Sequence, residues 1–163
     1  MKLEDLTFRH NVQDSDKEAV KEIVSSTNFF KPYEIPVAVE LVEEALIKGD
    51  ESGYEFIFAE LHGQPVAYAC FGKTPCTKSS FDLYWIATLN SYRGLGIGKL
   101  VLQKTEKKIS ELNGKRIYIE TSSTQLYLPT RKFYLNNGYK EEAVLENFYD
   151  DNDSKVIYSK VLL

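Results

Sequence analysis

The chain has 163 residues, 43% of them hydrophobic, with 11 tyrosines, 9 phenylalanines and a formal net charge of −4. That length predicts one domain over residues 1–163, large enough to bury a core, and the acidic balance gives no reason to expect a nucleic-acid partner. Two cysteines, Cys70 and Cys76, are too few for a disulfide scaffold, and the two histidines have no zinc-like spacing, so no metal is expected.

Leu6-Thr-Phe-Arg9 alternates as a short first strand. Ser15-Asp-Lys-Glu18 reads as a capping box, and Val20, Ile23, Val24 and Thr27 follow at helical spacing. Asn28 to Tyr33 interrupts the pattern. Pro36 suits the first turn of a second helix, striped by Val39, Val42 and Leu46 and stopped at Gly49. Runs 54–61 and 66–71 read as a hairpin closed by His62-Gly63-Gln64, which makes His62 a solvated loop residue rather than a catalytic base. A polar connector from Gly72 to Ser80 leads to the fourth strand, Phe81 to Thr88.

Beyond that strand, Gly98, Leu102, Thr105, Ile109 and Leu112 keep a 4-3-4-3 spacing, one buried helical face, and Asn113-Gly114 ends the helix. Arg116 to Thr121 is a strand, parallel to the one before the helix if the crossover is right-handed. Pro129 opens a short helix ending at Asn137-Gly138. Strand-like runs 139–149 and 155–162 then flank the turn Asp150 to Asp153. The order is β-α-α-β-β-β-α-β-α-β-β, an α/β arrangement around a mixed sheet, with no repeat or linker. No leader-like N-terminus or apolar run near ~18 residues is present, so no membrane partner is expected and cytoplasm is the default compartment.

Between the fourth strand and third helix lies Tyr92-Arg93-Gly94-Leu95-Gly96-Ile97-Gly98-Lys99. Alternating glycines let the backbone approach a ligand, and the amides that follow open a helix at its positive end. This is an anion site, read as one for phosphate. A dinucleotide fingerprint would need its third glycine where Lys99 stands, and a P-loop would need glycine at Arg93 and a hydroxyl at Leu100. What fits is R-x-x-G-x-G at Arg93, Gly96 and Gly98. Residues 93–116 carry seven basic and two acidic side chains, net +5 against −9 elsewhere, which suits a multiply phosphorylated ligand or a solvated helix face.

The loop resembles the acetyl-CoA pyrophosphate loop of the GNAT N-acetyltransferase superfamily. Thr130-Arg-Lys-Phe133-Tyr134-Leu-Asn-Asn-Gly138-Tyr139 resembles the family's A-x-x-L/F-Y-x-x-x-G-F helix, and Trp85-Ile-Ala-Thr88 stands where the family places its cofactor-binding strand edge. The resemblance spans nearly the whole chain and implies the GNAT-like acyl-CoA N-acyltransferase fold. It also implies a direct ternary-complex transfer of acetyl from acetyl-CoA to a primary amine.

Carried over residue by residue, Ile86, Ala87 and Thr88 offer main-chain groups to the pantetheine arm. The amides of Arg93, Gly94, Leu95, Gly96, Ile97, Gly98 and Lys99 hold the pyrophosphate. Tyr134 matches the tyrosine that protonates the departing thiolate, and a phenol keeps its proton at neutral pH; the plainer reading is a packing tyrosine. Asp82 stands near the position of a glutamate base in some members, Glu120 competes with it or orients the amine, and an amine arriving deprotonated needs neither. Tyr127 occupies the place of a cofactor-contacting asparagine and Thr130 that of an alanine, so Tyr127 is a cofactor candidate by position only.

For the acceptor, Phe29, Phe30, Tyr33, Phe148 and Tyr149 are candidate walls, though the first three also suit a staple between two helices. Glu34, Asp150 and Asp151 are placed to attract a cation, which points to a small or amino-acid-like amine. Cys70 reads as a core residue and Cys76 as a connector residue, so no covalent nucleophile is expected. A non-catalytic acyl-CoA-binding sensor is the alternative, and an unrelated phosphate-binding domain the third reading. Homodimerisation through the last strands, common in the family, is left open.

Overall fold

The computed structural model describes residues 1–163. Strands β1 (Leu6–Arg9), β2 (Glu55–Leu61), β3 (Gln64–Lys73), β4 (Ser80–Thr88), β5 (Arg116–Ser122), β6 (Lys140–Asp150) and β7 (Asp153–Val161) form one mixed sheet in the order β1-β2-β3-β4-β5-β7-β6. Helices α1 (Asp16–Ser26), α2 (Ile35–Lys48), α3 (Ile97–Glu111) and α4 (Leu128–Asn136) complete the predicted element order. No helix is long and apolar enough to cross a membrane. The chain divides into two compact units, Met1–Gly72 with Trp85–Lys108 and Lys73–Tyr84 with Ile109–Leu163.

In the first unit, β2 and β3 pair antiparallel, with a bulge at Ala59/Glu60 and a turn at His62 and Gly63, both at positive φ. His62 is exposed there, as its place in the turn predicts. Alternation sends Phe56, Phe58, Tyr68 and Cys70 to one side, where they bury with Val20, Ile23 and Val24 of α1 and Ala38, Val42 and Ala45 of α2. Each of the larger apolar side chains stabilises by about 1.5–3 kcal/mol when taken from water.

Two local expectations fail here. The buried stripe of α2 is Ala38, Val42 and Ala45, not Val39, Val42 and Leu46; Leu46 is 37% exposed. Alanines at the contact let the helix sit close to its neighbours, and the larger residues then face outward. At α1 the Ser15 side chain makes no cap bond. Asp16 ties down the helix start instead, its carboxylate accepting the Gln13 amide at 2.7 Å and both arms of the Arg9 guanidinium at 2.7 and 2.8 Å. Arg9 also bonds Glu60 and lies 4.5 Å over the Phe58 ring. Asp16 is fully buried and fully partnered, so this cluster links β1 and β2 to the start of α1.

In the second unit β4 runs parallel to β5 over Ser80–Leu83 against Arg116–Ile119, and β5 pairs antiparallel with β7 along its whole length. The outermost strand, β6, pairs with β7 in a register broken twice, at Glu141/Ala143 and between Leu145 and Asp150. Asn113 supplies the left-handed residue after α3, at φ +65°. Gly114 is required by space rather than by φ: a Cβ there would collide with Ile109 Cγ2 and stand 2.7 Å from the Phe81 ring.

Candidate functional site

The glycine loop begins with a tight turn at Asn90–Tyr92, in which the Arg93 amide bonds the Asn90 carbonyl. Gly94 and Gly96 take φ of +78° and +86°, which L side chains rarely adopt, whereas Gly98 already lies inside α3. The first i→i−4 bond of α3 runs from the Leu100 amide to the Gly96 carbonyl at 3.2 Å. The Ile97, Gly98 and Lys99 amides precede it and point out of the helix start, where the dipole favours an anion. Around Gly94 a Cβ would meet nothing within 4 Å, and at Gly96 only Leu3 Cδ1 at 3.9 Å. The loop therefore has open ground before it.

Arg93 stacks its guanidinium 4.5 Å over the Phe29 ring, and Phe30 packs on Trp85 at 4.8 Å. Phe30 thus staples α1–α2 packing to β4, while Tyr33 is 68% exposed beside Lys31. On β4, Ala87 is buried in the α1–α2 cluster and Ile86 and Thr88 are half-buried.

In the second unit, register separates the remaining candidates onto two faces. Asp82 pairs with Tyr118, and Glu120 follows two residues on, so both carboxylates share one face of β4 and β5. Burial pushes the Asp82 carboxyl up, a hydrogen bond from Thr74 Oγ1 at 2.8 Å holds it down, and the Glu120 charge pushes it up again. Glu120 is engaged by Lys155 at 3.1 Å. Only 13% of the Lys155 side chain is exposed, because its ammonium also lies 3.6 Å over the Phe148 ring and 5.8 Å over Tyr149.

The opposite face carries α4. Tyr134 is 3% exposed, its ring 5.7 Å from Tyr139 and 6.0 Å from Tyr158. Burial alone drives its hydroxyl far above the ordinary phenol range, so it stays protonated across neutral pH. Tyr127 closes the short turn that precedes α4. That turn is pinned by Arg131, which donates to the Ser122 and Thr124 carbonyls at 2.9 and 2.8 Å. Sequence reasoning passes over Thr74, Arg131 and Lys155, each of which acts through a partner distant in the chain or on another element.

A family model described as the acetyltransferase (GNAT) family matches residues 18–139. The chain belongs to the GNAT acetyltransferase family. The match runs from the first turn of α1 to Tyr139, so the matched segment includes the glycine loop, Asp82 and Tyr134 and ends before β6 and β7. Among solved structures, a protein assigned to the GNAT family from Desulfovibrio desulfuricans aligns with a TM-score of 0.95 at 39% identity, covering 97% of this chain and 99% of that one. An N-alpha-acetyltransferase of Sulfurisphaera tokodaii is 28% identical over 117 residues, 66% of this chain and 69% of that protein. An aminoglycoside 6'-N-acetyltransferase solved with coenzyme A shares the GNAT fold at a TM-score of 0.74 and 18% identity, covering 97% of each chain.

Proposed function

We propose that the protein transfers the acetyl group of acetyl-CoA to a primary amine of a small or amino-acid-like acceptor, by direct attack in a ternary complex. The observation that carries the cofactor half is the loop from Arg93 to Lys99: two positive-φ glycines, open space, and helix-start amides free of backbone partners. Those amides and the Arg93 and Lys99 charges suit a pyrophosphate, with main-chain groups of Ile86, Ala87 and Thr88 and the Tyr127 ring as further cofactor contacts.

The chemistry follows from the protonation states. Asp82, whose carboxyl is pushed up by burial toward a base's working range, takes the proton of the attacking amine. Glu120, held in an ion pair with Lys155, orients the amine rather than deprotonating it. The new C–N bond forms as the C–S bond breaks, and Tyr134 returns a proton to the departing thiolate. Desolvation raises the basicity of a departing thiolate as well, which favours its taking the phenol's proton. Phe29, Phe30, Tyr33 and Tyr149 supply apolar surface to the acceptor.

Calorimetric titration with acetyl-CoA, and with ATP as control, tests this reading. Saturable binding of acetyl-CoA alone supports it; equal binding of both, or of neither, refutes it. The name of the Sulfurisphaera tokodaii relative favours a second acceptor, the α-amine of a polypeptide. A panel of small amines and short peptides, followed by thiol release, separates the two: peptides acetylated while small amines are untouched would refute the small-acceptor reading.

A further inference from the structure

Two buried hydroxyls in the molecule have no protein partner, those of Tyr68 and Thr121. Such a group is destabilising where it stands, and valine or phenylalanine would fill the same space without it. Tyr68 lies among the apolar residues of the α1–α2 cluster, with no reacting group proposed beside it. Thr121 is differently placed. On β5 it alternates with Ile117 and Ile119 on the buried face, at 4% exposure. Ile119 pairs across the sheet with Tyr158 and Thr121 with Val156, and the Tyr158 ring stands 6.0 Å from that of Tyr134. The orphan hydroxyl therefore lies buried on the face that carries the proposed acid, opposite the face of Asp82 and Glu120.

We propose that Thr121 is a second hydroxyl for the thiol end of the cofactor, its Oγ1–H donating to the departing sulfur alongside the Tyr134 phenol and accepting from the thiol afterwards. This rests on the reading of Tyr134 as the group that serves the sulfur, and it adds no covalent step. It gives the unpartnered hydroxyl a partner that arrives only with the ligand.

The experiment compares wild-type protein with Thr121→Val and Thr121→Ser, by thermal melting without ligand and by calorimetry with coenzyme A and with desulfo-coenzyme A. Thr121→Val is expected to melt roughly 2–4 °C higher, because an unsatisfied hydroxyl is gone. It should also bind coenzyme A roughly two- to tenfold more weakly. Thr121→Ser restores the affinity, and desulfo-coenzyme A, which lacks the sulfur, binds wild type and Thr121→Val alike. Unchanged affinity of Thr121→Val for coenzyme A overturns the proposal while leaving the acetyl-CoA reading intact. So does an equal loss for both ligands, or a lowered melting point. Failure of the wild type to bind coenzyme A overturns both together.

Discussion

Two sets of ionisable side chains, one in each unit, are partnered to very different degrees. In the first, Arg9, Asp16 and Glu60 form a cluster in which the buried carboxylate accepts bonds at both oxygens and the guanidinium is spread over two acids, a carbonyl and a ring. In the second, Asp82 has one hydrogen-bond donor and Tyr134 is raised by burial with nothing to offset it. Full pairing fixes a structure; partial pairing leaves a group able to exchange a proton. The difference fits a structural role for the first cluster and the catalytic role proposed above for the second set, although both consist of ionisable side chains taken from water.

The sharpest way to break that contrast is Tyr134→Phe. As the proton donor to the thiolate its loss should lower kcat roughly 100-fold or more, with acetyl-CoA affinity by calorimetry nearly unchanged. Unaltered turnover would return Tyr134 to the packing role. Asp16→Ala is the mirror test. It leaves Arg9 half-buried without its main partner and should cost about 3–5 kcal/mol in urea unfolding, with kcat per folded molecule unchanged. A loss below about 1 kcal/mol would show that the pairing is dispensable.

Asp82→Asn comes next. As the proposed base Asp82 works as the carboxylate, so the rate should fall as pH drops through its raised pKa, and the acid limb of kcat/KM should lie above the usual aspartate range. The substitution removes that limb and slows the reaction roughly tenfold to 100-fold. Thr74→Val deletes the bond that holds the pKa down and should move the limb to higher pH. An acid limb that survives Asp82→Asn would transfer the base role to Glu120 or to solvent. The smallest effect belongs to Gly114→Ala, where Ile109 and Phe81 must give way; thermal melting should show about 1–3 kcal/mol of destabilisation and no change in substrate kinetics.

Element order is legible because it rests on local periodicity: alternation in β2, the 4-3 stripe of Leu102, Thr105 and Ile109, and stops at Gly49 and Gly138. The glycine loop is legible for the same reason, since spacing and backbone freedom are written in adjacent residues. The α1 cap misleads because Ser15 and Glu18 have the right spacing, while Asp16 owes its place to Arg9, which lies on another element. The α2 stripe misleads because size, not only hydrophobicity, decides which residues face a close neighbour. Asp82 is visible as a carboxylate, but its environment is not, because Thr74 and Glu120 reach it across turns and strands.

The interruptions in β6 have a consequence for how this molecule meets others. It is one of the sheet's two edge strands and nearly all of it is exposed, the setting in which a chain templates addition of another strand. Its register shifts around Glu142 and between Leu145 and Asp150 leave only Ala143, Val144 and Leu145 in regular succession. Such irregularities are among the devices by which an edge strand is kept from templating addition of another chain. What the edge offers outward is side chains, among them the exposed Val144, Leu145 and Phe148, rather than a long regular ladder.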